Sequence, residues 1–228
     1  MFWSFCAPKG GVGTSVVAAA TALESSRRSP TLLIDFGGDL TQIFGLDAES
    51  PHGVWDWLAA ADDVGTEALE HLVVDVSPDL ALIPAGRERR DSLAPERVVR
   101  FVEAMQTTGR PTIADVGTLT DATDPRSLIC ASGDRSTCIV RGCYLALRRF
   151  AKFPVLVDDV VEIEEPGRAL RTLDIEAVVG MPVSARIPFD PSIARAVDAG
   201  LLSHRMPRAL RRSVQALMAE RRSMAVSR

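Results

Sequence analysis

Lysine is scarce in this sequence: of 26 basic residues only Lys9 and Lys152 are lysines, and the other 24 are arginines. Aromatic residues are few, at 5% of the 228 positions with a single tyrosine. No stretch approaches the ~18 to 20 consecutive apolar residues of a membrane-spanning helix. The start, Met1-Phe2-Trp3-Ser4-Phe5-Cys6, lacks the basic segment of a secretory leader. The four cysteines (Cys6, Cys130, Cys138, Cys143) show neither zinc-ligand spacing nor a CxxC pair. Three of them sit in or beside apolar stretches, where buried free thiols are expected. These absences argue against a membrane-embedded, disulfide-stapled or zinc-built protein and predict a cytoplasmic location. No repeat, low-complexity tract or long linker divides the chain, so a single domain over 1–228 is expected.

What is present is an ordinary globular composition, 46% hydrophobic and 25% charged. The net charge of -4 speaks against a wholly basic nucleic-acid binder. The charge is uneven, however: Ser203 to Arg228 holds seven arginines and one glutamate, leaving an acidic body with a basic tail. Short apolar runs alternate with helical patterns, the sign of an α/β protein with a mostly parallel sheet flanked by helices. Strands are predicted at Phe2–Cys6, Thr31–Asp35, Leu80–Pro84, Thr112–Val116, Thr137–Val140, Val155–Ile163 (with Asp158-Asp159 as a candidate interruption) and Val183–Ile187. Helices are predicted from Ser15 to about Arg28, His52 to Ala61, Glu67 to Leu72, Pro95 to Thr108 and from Asp124-Pro125 onward. Further helices are expected over Cys143–Ala151, Pro166 to about Leu173, Pro191–Ala199 and about 207–222.

The most specific feature joins the first strand to the first helix: Ala7-Pro8-Lys9-Gly10-Gly11-Val12-Gly13-Thr14-Ser15. Glycines here permit a tight path whose N–H groups converge, and the helix N-terminus adds its dipole, giving an anion cradle for phosphates. Ser15, at the helix start, is placed to offer a hydroxyl to Mg²⁺. Lys9 is one of two lysines in an arginine-rich chain, and a flexible ammonium suits phosphate recognition.

Pro8 to Ser15, PKGGVGTS, resembles the deviant Walker A motif KGGxGK[ST] of the ParA/MinD superfamily. Leu32 to Leu46 resembles that family's second strand and first switch, Ile113 to Gly117 its Walker B strand end, and Ile187 to Gly200 its segment over the base. The likeness covers nearly the whole chain and is nearest to CpaE/TadZ-like and actinobacterial septum-site-like members. It implies a three-layer P-loop fold, ATP and Mg²⁺ as ligands, a homodimer, and a protein partner at the switch surface. Carried over by position, Lys9 matches the lysine that reaches the partner subunit's nucleotide, and Gly10, Gly11, Val12, Gly13 and Thr14 match the phosphate loop. Ser15 matches the Mg²⁺ hydroxyl, Asp35 the first switch carboxylate, a candidate both for catalysis and for the Mg²⁺ site, and Asp115 the carboxylate holding the metal's water shell. Pro188 falls in the segment beside the base.

Two departures stand out. Thr14 replaces the loop lysine that contacts the β- and γ-phosphates, and Gly37 replaces the switch aspartate that orients the attacking water. Asp39, two residues on, can substitute only if the loop is reshaped. Phosphoryl transfer rests on positioning and charge neutralisation, so the resemblance implies nucleotide binding with weak or absent hydrolysis. Two alternatives stay open: a nucleotide-free scaffold, and an active ATPase using an arginine, Arg141 or one from the partner, in place of the lysine. Arg141-Gly142-Cys143-Tyr144 occupies the family's turn next to the base, so Arg141 is a candidate for stacking or phosphate contact, or simply part of an ordinary helix start.

The tail carries Leu210, Val214, Leu217 and Met218 at helical spacing among arginines. Docking on the sheet is the favoured reading, with peripheral contact to anionic lipid at the inner membrane face or to DNA backbone left open. Trp55 and Trp57 cannot share one helix face. A fully packed pair is favoured over one exposed for a partner.

Overall fold

The computed structural model describes residues 1–46, 51–60, 64–87 and 93–225, with side chains as far as residue 219. Ala61, at the end of the predicted 52–61 helix, lies outside the described residues, as do the side chains of Arg221 and Arg222.

One eight-stranded sheet carries the chain. Its strands are β1 (Phe2–Ala7), β2 (Thr31–Asp35), β3 (Val74–Ser77), β4 (Leu80–Ile83), β5 (Thr112–Thr118), β6 (Arg135–Arg141), β7 (Asp159–Ile163) and β8 (Ala185–Ile187). The spatial order is β3-β4-β2-β5-β1-β6-β7-β8. All neighbours are parallel except β3, which pairs antiparallel with β4 at one edge. The central strands are buried on both faces, which is why they read as unbroken apolar runs. Side chains of β1 divide by the period of two: Phe2 and Cys6 enter one core layer, Trp3, Phe5 and Ala7 the other.

Helix α1 (Thr14–Ser26) follows the glycine loop and buries Ala18, Ala19, Ala20 and Ala22, so its backbone lies close on the sheet. Then come α2 (Leu40–Ile43), α3 (Val54–Ala59) and a 3-10 turn over Thr66–Leu72. After them follow α4 (Pro95–Thr107), α5 (Pro125–Ser132), α6 (Tyr144–Phe150), α7 (Thr172–Val179), α8 (Pro191–Asp198) and α9 (Arg208–Ala225). Both Trp55 and Trp57 are buried, at 2% and 4% exposure, and Trp57 donates its indole N–H to the Gly65 carbonyl. The packed pair is the correct reading.

Three expectations need correction. The helix predicted from Pro166 to Leu173 begins only at Thr172. Pro166-Gly167 forms a turn in which Arg168 folds back to Glu165, and the helix starts where Asp174 accepts the Arg171 N–H at 2.8 Å. The strand expected within Val155–Ile163 begins only at Asp159, at its candidate interruption, because Asp158 leaves the strand path to accept the Ser136 N–H at 2.8 Å. Strand β3 was not predicted: its four residues are partly exposed, too weak a pattern to read alone.

The C-terminal helix docks. Leu210, Val214 and Leu217 are buried, Gln215 donates to the buried Glu24 of α1, and the Leu217 carbonyl accepts from Arg135. The apolar stripe is thus covered by the fold itself. Among the described residues no helix is long and apolar enough to cross a membrane.

Candidate functional site

A cavity of about 940 Å³ opens where the strands' C-terminal ends meet the glycine loop, the usual ligand position of an open parallel sheet. Gly10, Gly11, Val12, Gly13, Thr14 and Ser15 line it, with Asp39, Arg141 and Pro188. Its shape depends on local backbone: Gly11 and Gly13 have φ of +72° and +100°, a region that a residue with a Cβ enters only with strain. Gly13 then caps α1, whose first N–H groups face the cavity. Thr14 is buried and brings no charge.

Behind the loop, β2 and β5 set Asp35 opposite Asp115 in register. Asp35 uses both oxygens on the following loop: Oδ1 accepts the N–H groups of Gly37 (2.9 Å) and Gly38 (2.6 Å), and Oδ2 that of Leu40 (2.9 Å). Burial raises its pKa against the pull of these bonds. Asp35 therefore staples the loop that carries Asp39. Asp115 is fully buried, its Oδ1 accepting the Gly117 N–H at 3.1 Å. Burial pushes this carboxyl up to about 7, Asp35 adds to the rise, and the Ser15 hydroxyl offsets part of it. Its Oδ2 is buried without a hydrogen-bond partner. A Cβ at Gly37 would lie 3.2 Å from that oxygen, so glycine leaves the space above it clear.

An unmatched, charge-starved carboxylate oxygen beside a serine hydroxyl fits a hard cation with oxygen ligands. Among the described residues no group of three or more His, Cys, Asp or Glu gathers as a metal centre. Mg²⁺ takes few protein ligands and completes its shell with water and phosphate oxygens, so the Ser15 hydroxyl and the Asp115 carboxylate are the groups here that could hold it.

The other expected residues are distributed unevenly. Asp39 is exposed and lines the cavity, so a carboxylate does reach it from the loop that lost one at position 37. Arg141 lines it from the end of β6, with Nη1 3.6 Å from Glu165 and a buried Nε that has no partner. Lys9 is half-buried and is not part of the cavity wall; its charge is felt instead by Cys143 and Glu165. Several lining residues were not singled out from the sequence, two of them notable. Phe189, within the segment expected over the base, is 60% exposed, and Arg126, in the first turn of α5, is 4% exposed. The only signal for Arg126 was the run Asp124-Pro125-Arg126, which reads as a helix start.

No protein-family model and no curated protein matches this sequence. Solved structures do. A ParA family ATPase from Chlorobium tepidum superposes with a TM-score of 0.78 at 23% identity, covering 95% of this chain and 97% of that one. MinD in the Aquifex aeolicus MinC:MinD cell division complex gives 0.77 at 18% identity, covering 98% and 96%. The septum site-determining protein MinD from Pyrococcus horikoshii, complexed with Mg-ADP, gives 0.77 at 16%, covering 98% and 96%. The fold is that of the ParA/MinD ATPases. The glycine loop lines the cavity, while Asp35 and Asp115 lie behind its wall and meet it through Gly37.

Proposed function

We propose that this ParA/MinD-fold protein is a nucleotide-dependent switch that binds ATP with Mg²⁺ and turns it over slowly or not at all. The observation that carries this reading is that Ser15 and Gly37, both in the cavity wall with the glycine cradle, adjoin the orphaned Asp115 Oδ2. A phosphate chain in the cradle receives backbone N–H groups from the loop and α1. Ser15 and Asp115 would hold Mg²⁺, with Asp35 fixing the loop alongside. Bound Mg²⁺ supplies charge neutralisation on the phosphate oxygens. Pro188 and Arg141 border the space left for the nucleoside.

Weak hydrolysis follows from two groups that this chain lacks, a cation at position 14 and a carboxylate at position 37. The exposed Asp39 is the residue left to position a water. Lys9, outside its own cavity wall, is free to serve the nucleotide of a second copy, so the active form is a face-to-face homodimer. Such a dimer presents a surface to a protein partner, as the MinD of the MinC:MinD complex does to MinC. A CpaE/TadZ-like or septum-site-like role, recruiting a pilus or secretion, septum or chromosome-partition partner, accords with this design. Contact of α9 with lipid or DNA is confined to its exposed arginines, because its apolar stripe is covered.

The test is molecular mass by light scattering, with melting temperature and phosphate release read beside it. Mg-ATP is expected to double the mass and raise the melting temperature. ADP is expected to leave the mass unchanged, and Lys9→Ala to abolish the doubling. Phosphate release at the level of Ser15→Ala accords with a switch. No change in mass or melting temperature with any nucleotide leaves only the scaffold reading.

A further inference from the structure

The nucleotide reading leaves a deficit of charge: the loop brings no side-chain cation to the phosphates at Thr14. Arg126, in the first turn of α5, is 4% exposed and yet lines the cavity. Its guanidinium is gripped from several directions. Nε donates to Asp124 Oδ1 at 2.9 Å, and Nη2 donates to the same carboxylate. Nη2 also donates to the Thr118 carbonyl at 2.9 Å, and Nη1 to the Val116 carbonyl at 2.9 Å. A guanidinium has five N–H donors, and these bonds occupy four. The fifth belongs to Nη1, the atom 3.5 Å from the position of a Cβ on the cavity-lining Gly117.

Sheet order decides which part of a ligand this group would meet. The ends of β2 and β5 lie on one side of the glycine loop, those of β6, β7 and β8 on the other. Arg141, Ile163, Ile187, Pro188 and Ile193 line the second side, where apolar side chains are available to cover a nucleoside. Gly37, Asp39, Gly117 and Arg126 line the first. A nucleotide with its phosphates in the cradle and its nucleoside against Pro188 therefore directs its terminal phosphate toward Arg126, not Arg141.

We infer that Arg126 is the cation for the terminal phosphate and takes over part of the task of the missing loop lysine. This rests on the nucleotide-binding reading above and adds to it a source of preference for triphosphate over diphosphate. The side chain is already immobilised by Asp124 and two carbonyls, so recognition costs little rotamer freedom. Its planar fork retains a donor for an anion after satisfying those partners, which an ammonium in the same place would do less well.

Calorimetric titration of Mg-ATP and Mg-ADP into the full chain and into Arg126→Gln tests the assignment. The variant is expected to bind ATP about tenfold or more weakly, the usual scale for a lost charged hydrogen bond. ADP affinity should stay within about twofold, so that the ATP:ADP preference collapses. Because the substitution removes the Arg126 charge beside Asp124, a second protein combines Asp124→Asn with Arg126→Gln and removes both charges; the same collapse is expected. A general loss of structure would weaken both nucleotides alike and leave the ratio intact. An unchanged ratio in variants with the parent's circular dichroism, when the parent binds both nucleotides, overturns the role of Arg126 and spares nucleotide binding. No heat from either nucleotide with the unaltered chain overturns both.

Discussion

Asp115→Asn isolates the electrostatic cost of the site. In the protein free of metal and nucleotide, burial lifts the Asp115 carboxyl from 3.8 to about 7. The folded state thus holds this proton more tightly than the unfolded chain does. Its contribution to stability is intact below about pH 4 and is lost as the pH climbs toward 7. At about 1.4 kcal/mol per pH unit the full penalty is about 4 kcal/mol, of which about 3 kcal/mol develops between pH 5 and 8. An asparagine has nearly the same shape and does not titrate. The stability of Asp115→Asn relative to the parent should therefore improve by about 3 kcal/mol over that interval. For a domain of this size the change corresponds to roughly 6 to 12 °C in relative melting temperature. The assay is thermal melting of both proteins in chelator-treated, nucleotide-free buffer at pH 5, 6, 7 and 8, with the difference plotted against pH. A difference that stays flat, or that favours the parent more as pH rises, would refute the claim that Asp115 carries an uncompensated buried charge. Addition of Mg-ATP at pH 8 should stabilise the parent and leave Asp115→Asn nearly unmoved.

Two further changes probe the frame around the site. Gly53→Ala would set a Cβ 2.2 Å from the Pro84 carbonyl oxygen and 2.2 Å from the Gly86 nitrogen. Backbone must move to admit it, and we expect a loss of about 3 kcal/mol or more in urea unfolding; an unchanged midpoint would show that the α3 approach is loose. Arg135 pairs with the Asp159 carboxylate, lies 3.8 Å over the Trp3 ring and donates to the Leu217 carbonyl at 3.2 Å. Arg135→Ala should cost about 3 to 5 kcal/mol, the range for breaking a buried pair. Adding Asp159→Asn should restore part of it, and failure to restore any would place the energy in the stacking and the carbonyl contact instead.

The central strands could be read from the chain because both their faces are buried, so hydrophobicity runs unbroken through Thr31–Asp35 and Phe2–Ala7. The glycine loop was readable for a related reason, since its conformation is written in residue types that alone tolerate it. Elements whose identity depends on neighbours were not. Strand β3 exists because β4 offers it an edge, and its own half-exposed residues say little. The run after Pro166 begins as a turn because a side chain bonds back to Glu165, an interaction that periodicity does not register. Arg126 is the sharpest case. Its sequence context announces a helix start, and only the crossing of β5 beside β1 and β2 brings it to the cavity. Likewise the orphaned oxygen of Asp115 results from how Gly37, Ser15 and Asp35 converge, and none of those distances is implied by spacing along the chain.

The docking of α9 has a consequence for how the molecule is made. Its Gln215 bonds to a glutamate 191 residues earlier, and its Leu217 carbonyl caps the arginine that covers Trp3. During synthesis the strand β1 and the helix α1 must wait, with one flank bare, until α9 has emerged. Chains that lean on such distant closure fold slowly and keep sticky surface open meanwhile. Nascent copies of this protein should therefore engage chaperones until the arginine-rich α9 arrives to seal the flank.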